Sequence, residues 1–288
     1  MTKILTLSDI HNKVLTAQRV IDEVSHDKCI LLGDYFDSYG DTPTDARKTA
    51  IWLKECVLHN PKIVPLMGNH CTSYIYKDNI NFRCSGYTTS KNIEINKILT
   101  EEDKSRFKVY HIEQNFLFSH AGLTKPIWQV WADAMDADRE YSLEFVDEVL
   151  SEAVAEDIER AKNGENAMLF GAGWDRGGIQ MHGGINWVDW NSFSPVKNIN
   201  QIVGHTRHRV PHILVQQKGG GIYQGPITEY YKRKFKDPLS VNYALDTDSN
   251  HYMVIEDGVV EIYDSMHHVN LRDVGTISIN ESEMNNLT

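Results

Sequence analysis

The stretch ILTLSDIH, residues 4–11, joins a short apolar run to the polar residues Asp9 and His11. Three more apolar runs, at residues 29–32, 62–67 and 116–118, also end in polar side chains that are able to bind a metal. In open α/β sheets, ligands bind outside the carboxyl ends of the strands. The repeated pattern therefore predicts an α/β fold with the functional site on the loops that follow the strands.

Helical patterns separate and follow these apolar runs. Residues 14–24 and 141–162 carry apolar side chains at helical spacing, and residues 43–58 begin with a proline in the first turn. Residues 171–195 are rich in Gly and Trp and predict an ordered loop. Near the end of the chain, two apolar runs flank the turn sequence Asp257-Gly258, which predicts a β-hairpin.

No internal repeat or linker divides the chain. We therefore expect a single domain over residues 1–277, in which residues 124–195 form a helical and loop insertion or cap. Residues 278–288 are mostly polar, and we expect them to be a flexible tail.

The composition excludes several classes of protein. Of 288 residues, 41% are hydrophobic and 24% charged, which is typical of a soluble globular protein. The net charge of −11 argues against binding to long nucleic acid, which requires a basic surface. The four cysteines form no C-x-x-C pair, so a disulfide scaffold or a thiolate zinc ribbon is not expected. The first apolar run ends too early for a signal peptide, and none approaches the roughly 18 residues of a membrane span. We expect a cytoplasmic protein that does not bind a membrane.

The residues at the predicted strand ends share one chemistry, because they are carboxylates, imidazoles and one amide. They are Asp9, His11, Asp34, Asp37, Asn69, His70, His120 and His205. Such side chains bind Mn, Fe or Zn. Two cations about 3.5–4 Å apart stabilise both the attacking and the leaving oxygen of an in-line displacement at phosphorus. This set therefore indicates metal-assisted phosphoryl chemistry.

Five short motifs carry these residues in order: DIH at 9–11, GDYFD at 33–37, GNH at 68–70, SHAG at 119–122 and GHT at 204–206. Together they resemble the calcineurin-like metallophosphoesterase superfamily, over residues 3–265. GDYFD, SHAG and the LDT of residues 245–247 resemble the branch of serine/threonine protein phosphatases and their bacterial or phage relatives. The resemblance implies an α/β four-layer sandwich, in which two central mixed sheets are flanked by helices.

The resemblance also implies a role for each site residue. A first metal would be bound by Asp9, His11 and Asp34, and Asp34 would bridge to a second metal that Asn69, His120 and His205 complete. His70 would be the general acid near the leaving-group oxygen, and Asp37 would hold its ring. The nucleophile would be a hydroxide that bridges the metals, since bound metals lower the pKa of water. We expect two Mn ions, with Fe or Zn as alternatives.

Three positions depart from the family's pattern. Ser38 stands where the protein phosphatase branch has an arginine that clamps the phosphate, and Cys71 stands where an acid usually follows GNH. His208 is one residue out of step with the family's G-H-x-H and is a doubtful ligand. Arg176 resembles a second phosphate-binding arginine of that branch, although a salt bridge to an acid such as Asp175 explains it equally well.

Three functions remain open on these residues. We expect a phosphomonoesterase that acts on a phosphorylated small molecule, a nucleotide or a phosphoprotein, with Arg176 and Arg207 as substrate-binding candidates. Ser38 favours an alternative, hydrolysis of a nucleotide, a dinucleoside polyphosphate or a phosphodiester. A third function is a metal-binding scaffold without catalysis, against which the complete ligand set and His70 argue. A cysteine phosphatase with Cys71 as its nucleophile is not expected, because such a site requires an arginine six residues after the cysteine, and Lys77 stands there.

Overall fold

Strands and helices alternate through the first part of the chain, and strands predominate towards its end. The computed structural model describes residues 2–136, 140–233, 235 and 238–273. The strands are β1 (Lys3–Leu7), β2 (Lys28–Leu31), β3 (Ile63–Pro65), β4 (Tyr110–Glu113), β5 (Phe116–Ser119), β6 (Gln201–Val203), β7 (His212–Gln217), β8 (Ile222–Pro226), β9 (Pro238–Ala244), β10 (His251–Glu256) and β11 (Val259–Asp264). The α-helices are α1 (Val14–Glu23), α2 (Pro43–Trp52), α3 (Asn69–Ile75), α4 (Thr89–Asn96), α5 (Glu101–Lys104), α6 (Lys125–Asp136), α7 (Leu143–Lys162) and α8 (Ile227–Tyr230).

The strands form two mixed sheets. The first has the order β11-β10-β1-β2-β3, in which β1, β2 and β3 are parallel and β10 and β11 antiparallel to their neighbours. The second has the order β4-β5-β6-β9-β7-β8, with β5, β6 and β9 parallel. Strands β10 and β11 form the predicted hairpin.

Burial on both faces explains why the first strands are continuous apolar runs. In β1, Ile4 belongs to a core shared by the two sheets, whereas Leu5 and Leu7 belong to a second core on the opposite face. Parallel strands that are covered on both sides need apolar side chains on both sides. The core shared by the sheets includes Ile4, Ile30, Val64, Met253, Ile255, Phe116, Phe118, Ile202, Ile213 and Val215. Each of these side chains stabilises the fold by roughly 1.5–3 kcal/mol through its burial.

Helices cover the outer face of the first sheet. Ala17 and Val20 of α1 share the second core with side chains from α2 and α7. The outer face of the second sheet is covered in part by the loop around Trp190, which stacks on Phe193 with ring centroids 5.0 Å apart. The expected α/β architecture, two mixed sheets flanked by helices, is confirmed.

Two predicted segments differ from the structure. The helix predicted over residues 43–58 changes geometry after Trp52, because Leu53–Val57 form a π-helical turn. Asn69 and His70 lie in helix α3, not in a loop. A helix of seven residues is too short to show apolar periodicity in the sequence.

The segment predicted as an insertion packs into the same core as the rest of the chain. Phe145 and Leu150 of α7 belong to the core that contains Leu5 and Ala17. We therefore keep the single domain as a proposal. The predicted flexible tail, residues 278–288, lies outside the described residues. Within the described ranges, no helix combines the length and the apolar character needed to cross a bilayer.

Candidate metal centre

Five strands of the two sheets end beside one cluster of polar side chains. Each of the six predicted metal ligands follows the carboxyl end of its strand. Asp9 and His11 follow β1, Asp34 follows β2, Asn69 follows β3, His120 follows β5 and His205 follows β6. Residues that are up to 196 positions apart in the chain are therefore in hydrogen-bonding contact.

A first group of donors consists of Asp9, His11 and Asp34, whose ligand atoms lie within 4.8 Å of one another. Nε2 of His11 is 4.0 Å from Oδ1 of Asp9 and 4.0 Å from Oδ2 of Asp34. Nδ1 of the same ring lies 2.7 Å from the carbonyl oxygen of Phe36, to which it donates. That bond leaves the lone pair of Nε2 facing the carboxylates, which is how metal-binding histidines are oriented in proteins.

A second group consists of Asp34, His120 and His205, again within 4.8 Å. Nε2 of His120 is 3.2 Å from Oδ2 of Asp34 and 2.9 Å from Oδ1 of Asn69. Nδ1 of His205 is 3.0 Å from the same oxygen of Asn69 and 3.2 Å from Nε2 of His120. Asp34 is thus common to both groups.

This cluster has the chemistry of a cation site. Asp9, Asp34 and Asn69 are at most 2% exposed, and His120 is fully buried. Burial raises the pKa of Asp9 to about 6, and the charge of Asp34 adds to this effect while His120 opposes it. Buried like charges and imidazole nitrogens that face one another are unfavourable without a counter-ion. The residues therefore fit divalent metal ions.

The backbone around the cluster is held in an uncommon conformation. The φ angles are +49° at Asp9, +43° at His11, +49° at Asp34 and +68° at His205. Residues other than glycine rarely adopt positive φ angles, and backbone strain of this kind is found most often at functional sites. A Cβ atom at Gly68 would lie 2.1 Å from Oδ1 of Asp34. Only glycine therefore leaves room for the Asp34 carboxylate.

His70 lies at the edge of the cluster. Its ring is edge-on to that of His11, with centroids 5.3 Å apart, and its backbone N–H donates to Oδ1 of Asp34 over 2.9 Å. Nδ1 is 3.0 Å from Oδ2 of Asp37. Burial lowers the pKa of His70, but the charge of Asp34 and the bond to Asp37 outweigh it and hold that pKa well above its usual value.

The two predicted substrate-binding arginines are both engaged with acids. Arg176 forms an ion pair with Asp189, not with Asp175, at 2.7 Å, and lies 3.4 Å from the hydroxyl of Thr206. Arg207 forms an ion pair with Asp248 at 2.6 Å, and 69% of its side chain is exposed. The pKa of His205 is lowered, mainly by burial and then by the charge of His120. The charge of Arg176 lowers it further, so Arg176 interacts electrostatically with the cluster.

Two of the positions that depart from the family's pattern have partners of their own. The hydroxyl of Ser38 accepts a hydrogen bond from the amide of Asn12 over 3.1 Å. The ring of His208 packs against that of His212, with centroids 3.8 Å apart. His208 belongs to none of the donor groups found among the described residues.

Four residues near the cluster have no predicted role. Tyr74 and Lys91 donate to Asp37, and Sγ of Cys84 is 3.4 Å from Nδ1 of His70. Asp246 is buried after β9, and burial together with the charge of Asp9 raises its pKa to about 7. Asp246 follows a strand in the way the ligands do, which is a usable signal. Lys91 has none, because it lies on a helix that the sequence did not predict.

Comparisons with known proteins bear on the family and the fold. The family model described as calcineurin-like phosphoesterase matches residues 2–209. A crystal structure of a cold-active protein-tyrosine phosphatase from a psychrophilic Shewanella species is 14% identical, with a TM-score of 0.53 over 94% of this chain and 80% of that one. A structure of a cold-active protein tyrosine phosphatase at 1.1 Å is 13% identical, with a TM-score of 0.54 over 92% and 77%. These two show a shared fold. Among curated proteins, none matches in sequence.

Proposed function

The chain belongs to the calcineurin-like phosphoesterase family of metal-dependent phosphoesterases, and from that premise we propose that it hydrolyses phosphomonoesters at the metal centre. One observation carries the proposal. Two donor groups share Asp34, and a histidine paired with a carboxylate lies beside them. This is the arrangement that phosphoryl transfer to water requires: metal ligands on one side and a proton donor on the other.

We propose that the centre binds two divalent ions, with manganese the first to be tested. Asp9, His11 and Asp34 would hold one ion, and Asp34, Asn69, His120 and His205 the other. When bound, such ions neutralise phosphoryl oxygens and make water available as a nucleophile near neutral pH. The donors are oxygen and imidazole nitrogen, a set that suits Mn, Fe and Zn.

We propose that His70 donates a proton to the leaving oxygen. Its Nδ1 faces Asp37, so the opposite nitrogen, Nε2, is the one left to meet the substrate. The hydrogen bond to the Asp37 carboxylate also favours the imidazolium form of the ring. Protonation of the leaving oxygen matters most when the departing alkoxide or phenoxide is strongly basic.

Arg176 is the proposed phosphate-binding arginine. Both of its contacts described above use Nη2, and its guanidinium carries further N–H groups that suit phosphate oxygens. Arg176→Ala is expected to raise KM for p-nitrophenyl phosphate by about 10-fold or more, since a hydrogen bond to a charged group contributes about 1.5–3 kcal/mol. Steady-state kinetics at saturating Mn²⁺ measure this.

Arg207→Ala is the matched control for Arg176→Ala. It removes the same side chain from a more exposed position, where the partner is Asp248. We expect KM to stay within about twofold of the wild-type value, as surface ion pairs contribute little. A rise in KM for Arg207→Ala alone would transfer the phosphate-binding role to that residue.

A second function, hydrolysis of phosphodiesters or nucleotides, is favoured by Ser38. The hydroxyl of Ser38 supplies no charge where the protein phosphatase branch has an arginine, and a diester carries one negative charge fewer than a monoester dianion.

The test is a paired assay of the Mn²⁺-reconstituted protein on p-nitrophenyl phosphate and bis(p-nitrophenyl) phosphate. The proposed function predicts faster turnover of the monoester. Preference for the diester would establish the second function instead, and absence of turnover on both with fewer than two metals per chain would favour the non-catalytic scaffold.

A further inference from the structure

A buried lysine lies directly beneath the pair formed by His70 and Asp37. Lys91 is on helix α4, and only 4% of its side chain is exposed. Its ammonium group donates to Oδ1 of Asp37 over 3.0 Å, to the carbonyl oxygen of Gly86 over 2.9 Å, and to the carboxylate of Asp41. All three donors of the ammonium group therefore have acceptors.

These contacts hold Asp37 in one orientation. Oδ1 accepts from Lys91 and from the hydroxyl of Tyr74, which is 2.6 Å away, while Oδ2 faces Nδ1 of His70 at 3.0 Å. A carboxylate that is bonded on both oxygens is not free to rotate. Lys91 and Tyr74, which bond the oxygen of Asp37 that does not face His70, thus fix the direction of the hydrogen bond between Asp37 and His70.

A second acceptor competes for the same nitrogen of His70. Sγ of Cys84 lies 3.4 Å from Nδ1. If the Asp37 carboxylate turned away, the ring would be able to follow the thiol and point its other nitrogen elsewhere. In the structure, the Asp37 carboxylate is the nearer of these two partners of Nδ1, at 3.0 Å.

Stability alone is a weak reason for this lysine. A buried ion pair contributes little net stability compared with apolar side chains of similar volume, because both charges lose their hydration. We propose that Lys91 is a positioning residue, which fixes Asp37 and through it aims the ring of His70 at the leaving oxygen. This inference rests on the proposed function, in which His70 is the proton donor.

The first test compares aryl phosphates in the full-length Lys91→Met protein reconstituted with Mn²⁺. Because Lys91 contacts no proposed metal ligand in the bonds described above, metal content and KM are expected to stay near the wild-type values. The kcat for phenyl phosphate is expected to fall about 10–100-fold, which is part of the roughly 10²–10⁴-fold that a positioned proton donor contributes. The kcat for p-nitrophenyl phosphate, whose leaving group needs less protonation, should fall several-fold less. An equal fall for both substrates would overturn the proposal.

Lys104→Met is the matched control. Lys104 is as buried as Lys91, with 3% of its side chain exposed, and its ammonium group bonds Glu101 and Asn96. The same substitution there removes a buried cation without touching Asp37. We expect the ratio of the two kcat values to remain that of the wild type. A change in the ratio equal to that of Lys91→Met would mean that general loosening of the fold explains both, and would overturn the proposal.

A double-mutant cycle with His70→Ala tests the route through His70. If Lys91 acts only by orienting that ring, Lys91→Met should lower kcat for phenyl phosphate by less than about twofold when His70 is already absent. A full additional loss would overturn the role of Lys91 while leaving His70 as the acid. If His70→Ala alone lowers kcat by the same factor for phenyl phosphate and p-nitrophenyl phosphate, His70 is not the proton donor. The positioning role of Lys91 then fails with it.

Two more variants guard against misfolding. Lys91→Arg restores a cation with several donors and is expected to recover part of the lost kcat for phenyl phosphate. Lys91→Met leaves the buried carboxylates of Asp37 and Asp41 without their cation. Adding Asp41→Asn removes one of these two charges, so the double variant should be folded even if the single variant is not. The combined variant must still show the steeper dependence on the leaving group. Wild-type dependence in the folded double variant would overturn the proposal.

Discussion

Asp34→Asn is expected to lower turnover of p-nitrophenyl phosphate by more than about 10³-fold, because loss of a residue that only supports a metal ligand already costs 10–100-fold. Asp34 is the one residue common to both donor groups. Its Oδ2 lies 3.2 Å from Nε2 of His120, and its Oδ1 accepts from the backbone of His70. An amide removes the negative charge at the point where both proposed ions would meet. The bound metal is therefore expected to fall below two ions per chain, which elemental analysis after dialysis measures.

The fold should survive this substitution. Asparagine has the shape of aspartate and tolerates positive φ angles well, and φ at Asp34 is +49°. Burial raises the pKa of Asp34, but the charges of His120, His70 and His11 outweigh burial and hold that pKa below its usual range, so the ionised carboxylate stabilises the metal-free fold. The metal-free variant is therefore expected to melt at a lower temperature than the metal-free wild type while keeping the same circular dichroism spectrum at 20 °C or below, since the amide fills the same space.

Asp157→Asn is the matched control for Asp34→Asn. Asp157 is another buried carboxylate, on α7, and accepts from the backbone N–H of Leu169 over 2.7 Å. An amide oxygen accepts the same bond, so metal content and turnover should remain those of the wild type. Wild-type turnover in Asp34→Asn would contradict the assignment of the whole centre, whereas equal losses in both variants would show that buried acids matter only for folding.

His70→Ala is expected to lower kcat for phenyl phosphate by about 10²–10⁴-fold, the range in which proton transfer by a positioned side chain contributes. The effect on p-nitrophenyl phosphate should be much smaller, because its phenolate leaves without a proton. Metal content should be unchanged, as His70 belongs to neither of the donor groups that share Asp34. Kinetics on a series of aryl phosphates, plotted against the basicity of the leaving group, measure the change in slope.

His111→Ala is the matched control for His70→Ala. The side chains of His70 and His111 are 15% and 17% exposed, and each pairs with a carboxylate, Asp37 and Glu113 respectively. The control should leave the slope unaltered. If phenyl phosphate and p-nitrophenyl phosphate lose the same factor in His70→Ala, His70 is not the general acid, although it still helps to build the site.

The strand-end pattern predicted the fold well because it depends on short segments. An apolar run followed at once by DIH or by GDYFD reports both a buried strand and the loop beyond it, as β1 and β2 show. The family model matches residues 2–209. The pattern failed at α3, where Asn69 and His70 begin a short helix. There the sequence contains the GNH motif but no periodicity from which a helix could be inferred.

The partners of the charged residues were less accessible to prediction. Arg176 pairs with Asp189 rather than the adjacent Asp175, since the loop folds back on itself between them. Metal identity, the use of Arg176 and Arg207, and the roles of the individual ligands stay predictions that the kinetic and metal analyses above address.

From its amino acids alone, this chain specifies a family, an α/β architecture and a set of candidate ligands, because each can be recognised from short motifs that follow apolar runs. The tertiary structure decided what surrounds them. It placed Lys91 against Asp37, 54 positions away, and Cys84 against His70. It also made Asp34 common to two donor groups. Such contacts arise when distant segments pack, and the energies that select them are spread over whole layers of buried side chains, so no short motif encodes them.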